Sequence, residues 1–145
     1  MEIIWKGPLL ENDRQGQINE VETFVNRRGS GIVLAPRDKA ALRRPVAEAK
    51  AAGLPVVIFD SGLDSEDYVS YVSTDNVKGG RLAGEHLAKI LGGKGKVAVL
   101  RYMEGSASTT ERETGFLEAA KAGGLEVVSD NQYAGATADT ALKAS

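Results

Sequence analysis

The stretch GIVLAPRDKAALRRPVAEAKAAGLPVVIFD, residues 31–60, decides the fold. Its two ends are continuous apolar runs rich in β-branched residues, Gly31-Ile32-Val33-Leu34-Ala35 and Val56-Val57-Ile58-Phe59 before Asp60. Neither run alternates polar with apolar, which is the pattern of strands buried on both faces of a parallel sheet. Between them, residues 38–52 read as a helix opened by Asp38 and closed by Gly53. Pro45 lies inside that stretch, where it either kinks the helix or marks the first turn of a later start. Strand, crossover helix and strand make a βαβ unit, whose connection is right-handed.

The same rhythm continues outward. Upstream, residues 2–5 read as a strand and residues 13–27 as a helix, with Ile18, Val21, Phe24 and Val25 on one face and Gly29 as the stop signal. Downstream, residues 68–73 read as a short strand, 75–91 as a helix ended by Gly92-Gly93, and 96–100 as a strand. Residues 108–122 form a further helix, opened by Ser108-Thr109-Thr110-Glu111 at capping-box spacing. A strand at 126–129 and a helix at 137–145 complete the chain. Helix–glycine–strand junctions recur at residues 51–57 and 122–128. The reading is an α/β protein with parallel, flavodoxin-like, doubly wound sheets.

Composition narrows the function. The 145 residues carry a formal net charge of −2 with acidic and basic residues interleaved, so no basic face is available for nucleic acid. Hydrophobic residues make up 42%, with no apolar run near the ~20 residues of a membrane span. Cysteine is absent, which excludes disulfides and thiolate metal sites. Met1-Glu2-Ile3-Ile4-Trp5-Lys6 has no basic region followed by an apolar one, so no signal peptide is read.

Ligands of such sheets bind beyond the carboxyl ends of the strands. There the sequence places Asp60-Ser61-Gly62, then Ser73-Thr74-Asp75-Asn76, then Arg101-Tyr102 through Ser108, followed by Arg112. A carboxylate, hydroxyls, an aromatic ring and a guanidinium suit a polyol, because adjacent sugar hydroxyls both donate and accept hydrogen bonds. The competing reading makes Asp60 a turn residue, Thr74 or Asp75 a helix cap, and Arg112 a partner of Glu111 or Glu113. Gly92–Lys96 lacks phosphate-loop spacing and reads as a tight turn. His86, the one histidine, reads as a half-buried structural side chain, and no hydrolase triad has members. The acidic residues between 60 and 67 do not match calcium-loop spacing, and no metal or cofactor is implied. Trp5 reads as closing a strand edge.

Together the segments 31–36, 55–60, Thr74-Asp75-Asn76 with Gly79-Gly80, 92–100, and 108–113 with Gly115-Phe116 resemble the type I periplasmic sugar-binding proteins of ABC transporters, the ribose-binding group in particular. The resemblance implies two α/β lobes joined by a hinge, here residues 1–73 and 74–145. It also implies non-catalytic capture of a small carbohydrate (a pentose or hexose) by closure, and a membrane permease as partner. The parent would be periplasmic or otherwise extracytoplasmic. By the same resemblance Asp60 accepts from sugar hydroxyls, Thr74 contributes a hydroxyl near the hinge, and Arg112 donates to sugar oxygens. Ser61, Tyr102 and Ser108 complete the candidate ligand set.

Ala35, Ser61 and Ala136 depart from the ribose binders, which carry an asparagine, an arginine and an aromatic residue there. Ribose is therefore less expected than a related sugar. Family members also begin with a strand and a helix ahead of residues 2–5, and that strand is central in the first sheet. The resulting gap is expected to be filled by residues 96–100, merging one sheet, or by strand exchange between two copies. Other readings are the effector-binding core of a LacI-type regulator, a receiver domain lacking its acidic pair, and a truncated fragment with no ligand of its own.

Overall fold

The computed structural model describes residues 2–145 and divides after Val72 into two compact units. The first carries α1 (Arg14–Asn26), β1 (Ile32–Leu34), α2 (Arg43–Ala51), β2 (Val56–Phe59) and β3 (Ser70–Val72). Its strands form one parallel sheet in the order β1-β2-β3, with Leu34 paired to Ile58 and Ile58 to Tyr71. The α/β reading with parallel strands holds.

Local chemistry explains each boundary. α1 starts at Asp13, whose carboxylate accepts from Gly16 N at 2.8 Å. The helix expected from Asp38 starts later, at Arg43. Asp38 instead closes a turn, accepting from Ala40 N at 2.9 Å and Ala41 N at 2.8 Å. Pro45 is buried in the first turn of α2, so the later start is the option taken; a missing N–H costs nothing there. α2 ends in a Schellman motif, with Leu54 N bonded to Ala49 O and Gly53 at φ 80°. The junction at residues 122–128 repeats it, Leu125 N to Ala120 O with Gly124 at φ 86°. That is the physical content of the recurrent junction.

The core of this unit packs Val21 of α1 and Val46 and Ala49 of α2 on Ile32, Leu34, Val56 and Ile58. Only one face of β1 is covered: Val33 is 71% exposed, where burial on both faces was expected. Residues 2–5 form no strand, and Trp5 is 86% exposed instead of closing an edge. A strand exists only through its ladder, and among the described residues β1 pairs with β2 alone.

At the surface, Lys50 Nζ donates to Asp67 at 2.8 Å and holds that carboxyl below its ordinary range. A carboxylate depressed by folding stabilises above its unfolded pKa and loses that contribution as pH falls through the folded value. Asp67→Asn should therefore lower the melting temperature slightly near about pH 6 and leave it unchanged near about pH 2. Paired thermal melts check this; equal losses at both pH values would remove the ion pair as the cause.

The second unit carries α3 (Asn76–Ile90), β4 (Lys96–Arg101), α4 (Ala107–Ala122), β5 (Glu126–Tyr133) and α5 (Ala138–Ala144). β4 and β5 form their own parallel two-stranded sheet with register shifts around Ala98. The merged sheet expected of residues 96–100 is therefore corrected. β4 finds its ladder in β5, which runs four residues past the expected end and extends that pairing to Tyr133.

α4 begins at Ala107, so Ser108 lies inside the helix and the capping box expected there does not form. The reciprocal box occurs at α5, where Thr140 N donates to Thr137 Oγ1 at 3.1 Å and Thr137 N to Thr140 Oγ1 at 3.2 Å. Gly92 and Gly93, at φ 63° and 70°, form the tight turn read from the sequence. His86 is exposed, not half-buried.

The helix contact at the core of this unit is made of small residues. Ala88, Ala120 and Leu125 form its buried cluster, and α3 lies against α4 through Gly80, Gly84 and Ala88 on one side and Gly115, Ala119 and Gly123 on the other. A Cβ on Gly80 would run into the Arg112 carbonyl, and one on Gly115 into the Val77 carbonyl. Gly79, its neighbour, faces open space.

Candidate functional site

Asp60 follows β2 and is the residue around which the chain turns. Its N–H continues the ladder to Val72 O at 3.0 Å, and Ser61 N then donates to Phe59 O at 2.8 Å. The result is a three-residue turn with Asp60 at φ 65°. An L-residue other than glycine held at positive φ is strained, and such strain concentrates at functional sites. The Asp60 side chain is exposed and has no hydrogen-bond or ion-pair partner among the described residues. Ser61, beside it, is buried at 5% exposure.

The loop after β1 borders the same sheet edge. Gln17 of α1 reaches across to it, donating to Ala35 O at 2.8 Å and accepting from Arg37 N at 3.0 Å. Ala35 is thus held through its backbone carbonyl.

In the second unit, Thr74 is exposed and its carbonyl accepts from the Ser73 hydroxyl at 3.1 Å. Asp75, not Thr74, caps α3, accepting from Lys78 N at 2.9 Å. Arg112 pairs with neither Glu111 nor Glu113. Its Nε donates to Asn76 Oδ1 at 2.9 Å, and Asn76 is 1% exposed. Glu113 is engaged by Arg101 Nε at 2.7 Å and by Tyr102 N at 3.3 Å. That hydrogen bond holds the Arg101 guanidinium above its ordinary range, against the opposing effect of partial burial. The guanidinium also sits 5.0 Å from the Tyr133 ring centroid. Tyr102 is half-buried in the loop after β4, and Ser108 is buried in the first turn of α4.

The structure thus joins Asp60 with Ser61 in one turn and Arg112 with Asn76 across two helices. Tyr102 opens the β4–α4 connection and Ser108 lies in the first turn of α4. Asn76, Glu113 and Arg101 are quoted from the sequence but stand outside its candidate ligand set. The available signal was their place in the D-N-x-x-G-G segment, the R-E-x-G-F segment and the end of a strand. Among the described residues, no group of three histidine or acidic side chains could hold a metal ion, and no helix is long and apolar enough to cross a membrane.

A periplasmic binding protein domain model matches residues 4–145, nearly the entire chain, across both units. The chain belongs to the periplasmic binding protein family. Among family members, the ribose import binding protein of Bacillus subtilis is 35% identical over 106 residues, covering 73% of this chain and 35% of that protein. The D-ribose/D-allose-binding protein of Pseudomonas aeruginosa is 34% identical over 134 residues, covering 88% and 42%. An ABC transporter solute-binding protein from Agrobacterium vitis, solved with bound D-fucose, superposes with a TM-score of 0.85 at 38% identity, covering 92% of this chain and 47% of that one. This family member therefore spans less than half the length of these relatives.

The contact between α3 and α4 gives two segments a structural meaning. Gly80 closes the D-N-x-x-G-G segment and Gly115 lies in the R-E-x-G-F segment, and each supplies the space that the other helix's backbone occupies.

Proposed function

We propose that this chain carries part of the ligand-binding machinery of an ABC-transporter solute receptor for a small carbohydrate, a pentose or hexose. The observation that carries the reading is the turn at β2. It keeps an unpartnered Asp60 carboxylate at positive φ at the carboxyl end of a parallel strand, where ligands of open α/β sheets bind. A carboxylate there accepts from two adjacent sugar hydroxyls. The Arg112 guanidinium, tethered only through Nε, donates to sugar oxygens. Thr74, Ser61, Tyr102 and Ser108 complete the proposed contact set.

The residue roles, the assignment of the two units to two receptor lobes and capture by hinge closure without catalysis all belong to this reading. So do an extracytoplasmic location and a membrane permease as partner. Support comes from relatives named for ribose, D-ribose/D-allose and xylitol binding, and from solved relatives holding D-fucose and D-arabinose. All are named as binding or solute-binding proteins, which favours a receptor over a regulator core.

The test is calorimetric titration of D-ribose, D-fucose, D-arabinose and their epimers into a receptor carrying these residues at the length of its relatives. Saturable binding of at least one pentose or hexose is expected. No heat from any of them, in a sample with a cooperative melt, would sink the reading. Pairing of two copies along the open edge of β1 belongs to the same proposal, and a concentration-independent monomer by light scattering would exclude it.

A further inference from the structure

Arg112 sits between two carboxylates in sequence, Glu111 and Glu113, yet forms no ion pair among the described residues. The reason is that both carboxylates are engaged elsewhere. Glu113, with its side chain only 12% exposed, is taken by Arg101 at 2.7 Å and by the Tyr102 N–H. Glu111 accepts from Asn76 Nδ2 at 3.3 Å. The same Asn76 amide accepts from Arg112 Nε at 2.9 Å through its oxygen.

Asn76 is the first residue of α3 and almost wholly buried, so its rotamer is fixed by packing. The orientation of its amide follows from chemistry: a guanidinium can only donate and a carboxylate only accepts. Aspartate would serve Arg112 but repel Glu111. Leucine would serve neither. An amide at this place holds the base of the Arg112 guanidinium and leaves both terminal nitrogens without a partner among the described residues.

We propose that Asn76 is a positioning residue for ligand binding, acting through Arg112. It keeps the guanidinium away from its flanking carboxylates and presents its terminal nitrogens, already ordered, to the ligand oxygens. This inference rests on the reading of Arg112 as a sugar-contacting residue. Ordering a long side chain in advance removes that cost from the binding step, and its loss should weaken affinity roughly three- to tenfold.

Two measurements separate the possibilities. On this chain, the Arg112 Nε–Hε resonance should be protected from solvent exchange, lose protection in Asn76→Leu, and retain it in Asn76→Asp, which keeps the acceptor. In the full-length receptor, titrated with whichever of D-ribose, D-fucose and D-arabinose binds, Asn76→Leu should weaken affinity and Asn76→Asp should restore most of it. In an Arg112→Ala background, Asn76→Leu should add nothing. Fully additive losses would overturn the inference alone, because Asn76 would then act through the fold. Unchanged affinity in Arg112→Ala would overturn it together with the reading of Arg112.

Discussion

Gly115→Val should destabilise the second unit by about 3 kcal/mol or more, whereas Gly79→Ala should stabilise it by up to about 1 kcal/mol. Both replace a helical glycine, yet the expected signs are opposite. Gly115 faces the Val77 carbonyl, so any added side chain must push α4 away from α3. The backbone carbonyl cannot rotate aside as a side chain would. Separating the helices also opens the cluster of Ala88, Ala120 and Leu125, against which Leu87, Val97 and Phe116 pack. Gly79 lies one residue from Gly80 but faces open space, so alanine there only reduces the freedom of the unfolded chain. Urea titrations followed by circular dichroism measure both. Equal losses in the two variants would mean the glycines matter for helix propensity and not for close approach.

Asp60→Ala should reduce sugar affinity 100-fold or more in the full-length receptor. Two charge-assisted hydrogen bonds contribute about 1.5–3 kcal/mol each, so their joint loss approaches the total of a modest binding free energy. A companion variant separates function from fold. Asp60→Gly removes the same carboxylate but places at φ 65° the residue that tolerates it without strain. It should lose binding equally while raising the stability of the first unit by about 1 kcal/mol. Calorimetric titration and chemical denaturation of both variants read the two effects. Unchanged affinity in either would sink the assignment of Asp60; lower stability in Asp60→Gly would show that the turn is not strained.

The elements legible in the sequence are those whose signal is local. Residues 31–35 and 56–60 contain β1 and β2 with ends shifted by at most one residue, because a continuous apolar run between glycine or proline punctuation has few other uses. Asp13 and Asp75 sit at their helix starts because a cap bonds only within its own first turn. Pro45 was legible as two options, and the structure took the later helix start.

Three of the expectations that failed depend on partners. Residues 2–5 have strand composition but no ladder, and Val33 has core chemistry but an uncovered face. Residues 96–100, one of two candidates to fill a gap in the first sheet, pair with β5 instead. In each, side-chain type was read correctly and the neighbour was not, since strand composition does not specify which strand lies alongside.

The candidate site divides along the same line. The sequence by itself determined the parallel α/β class, the order of elements from α1 onward, the placing of Asp60, Ser61 and Thr74 after strands, and the family resemblance. Only the tertiary structure decided that Asp60 sits at positive φ, that Gly80 and Gly115 lie in one helix contact, and that Asn76 holds Arg112 across 36 residues of chain. Periodicity and caps act over a single turn, so they are written in neighbouring letters. A contact between two helices depends on how far apart and at what angle they pack, and no local spacing in the sequence encodes that.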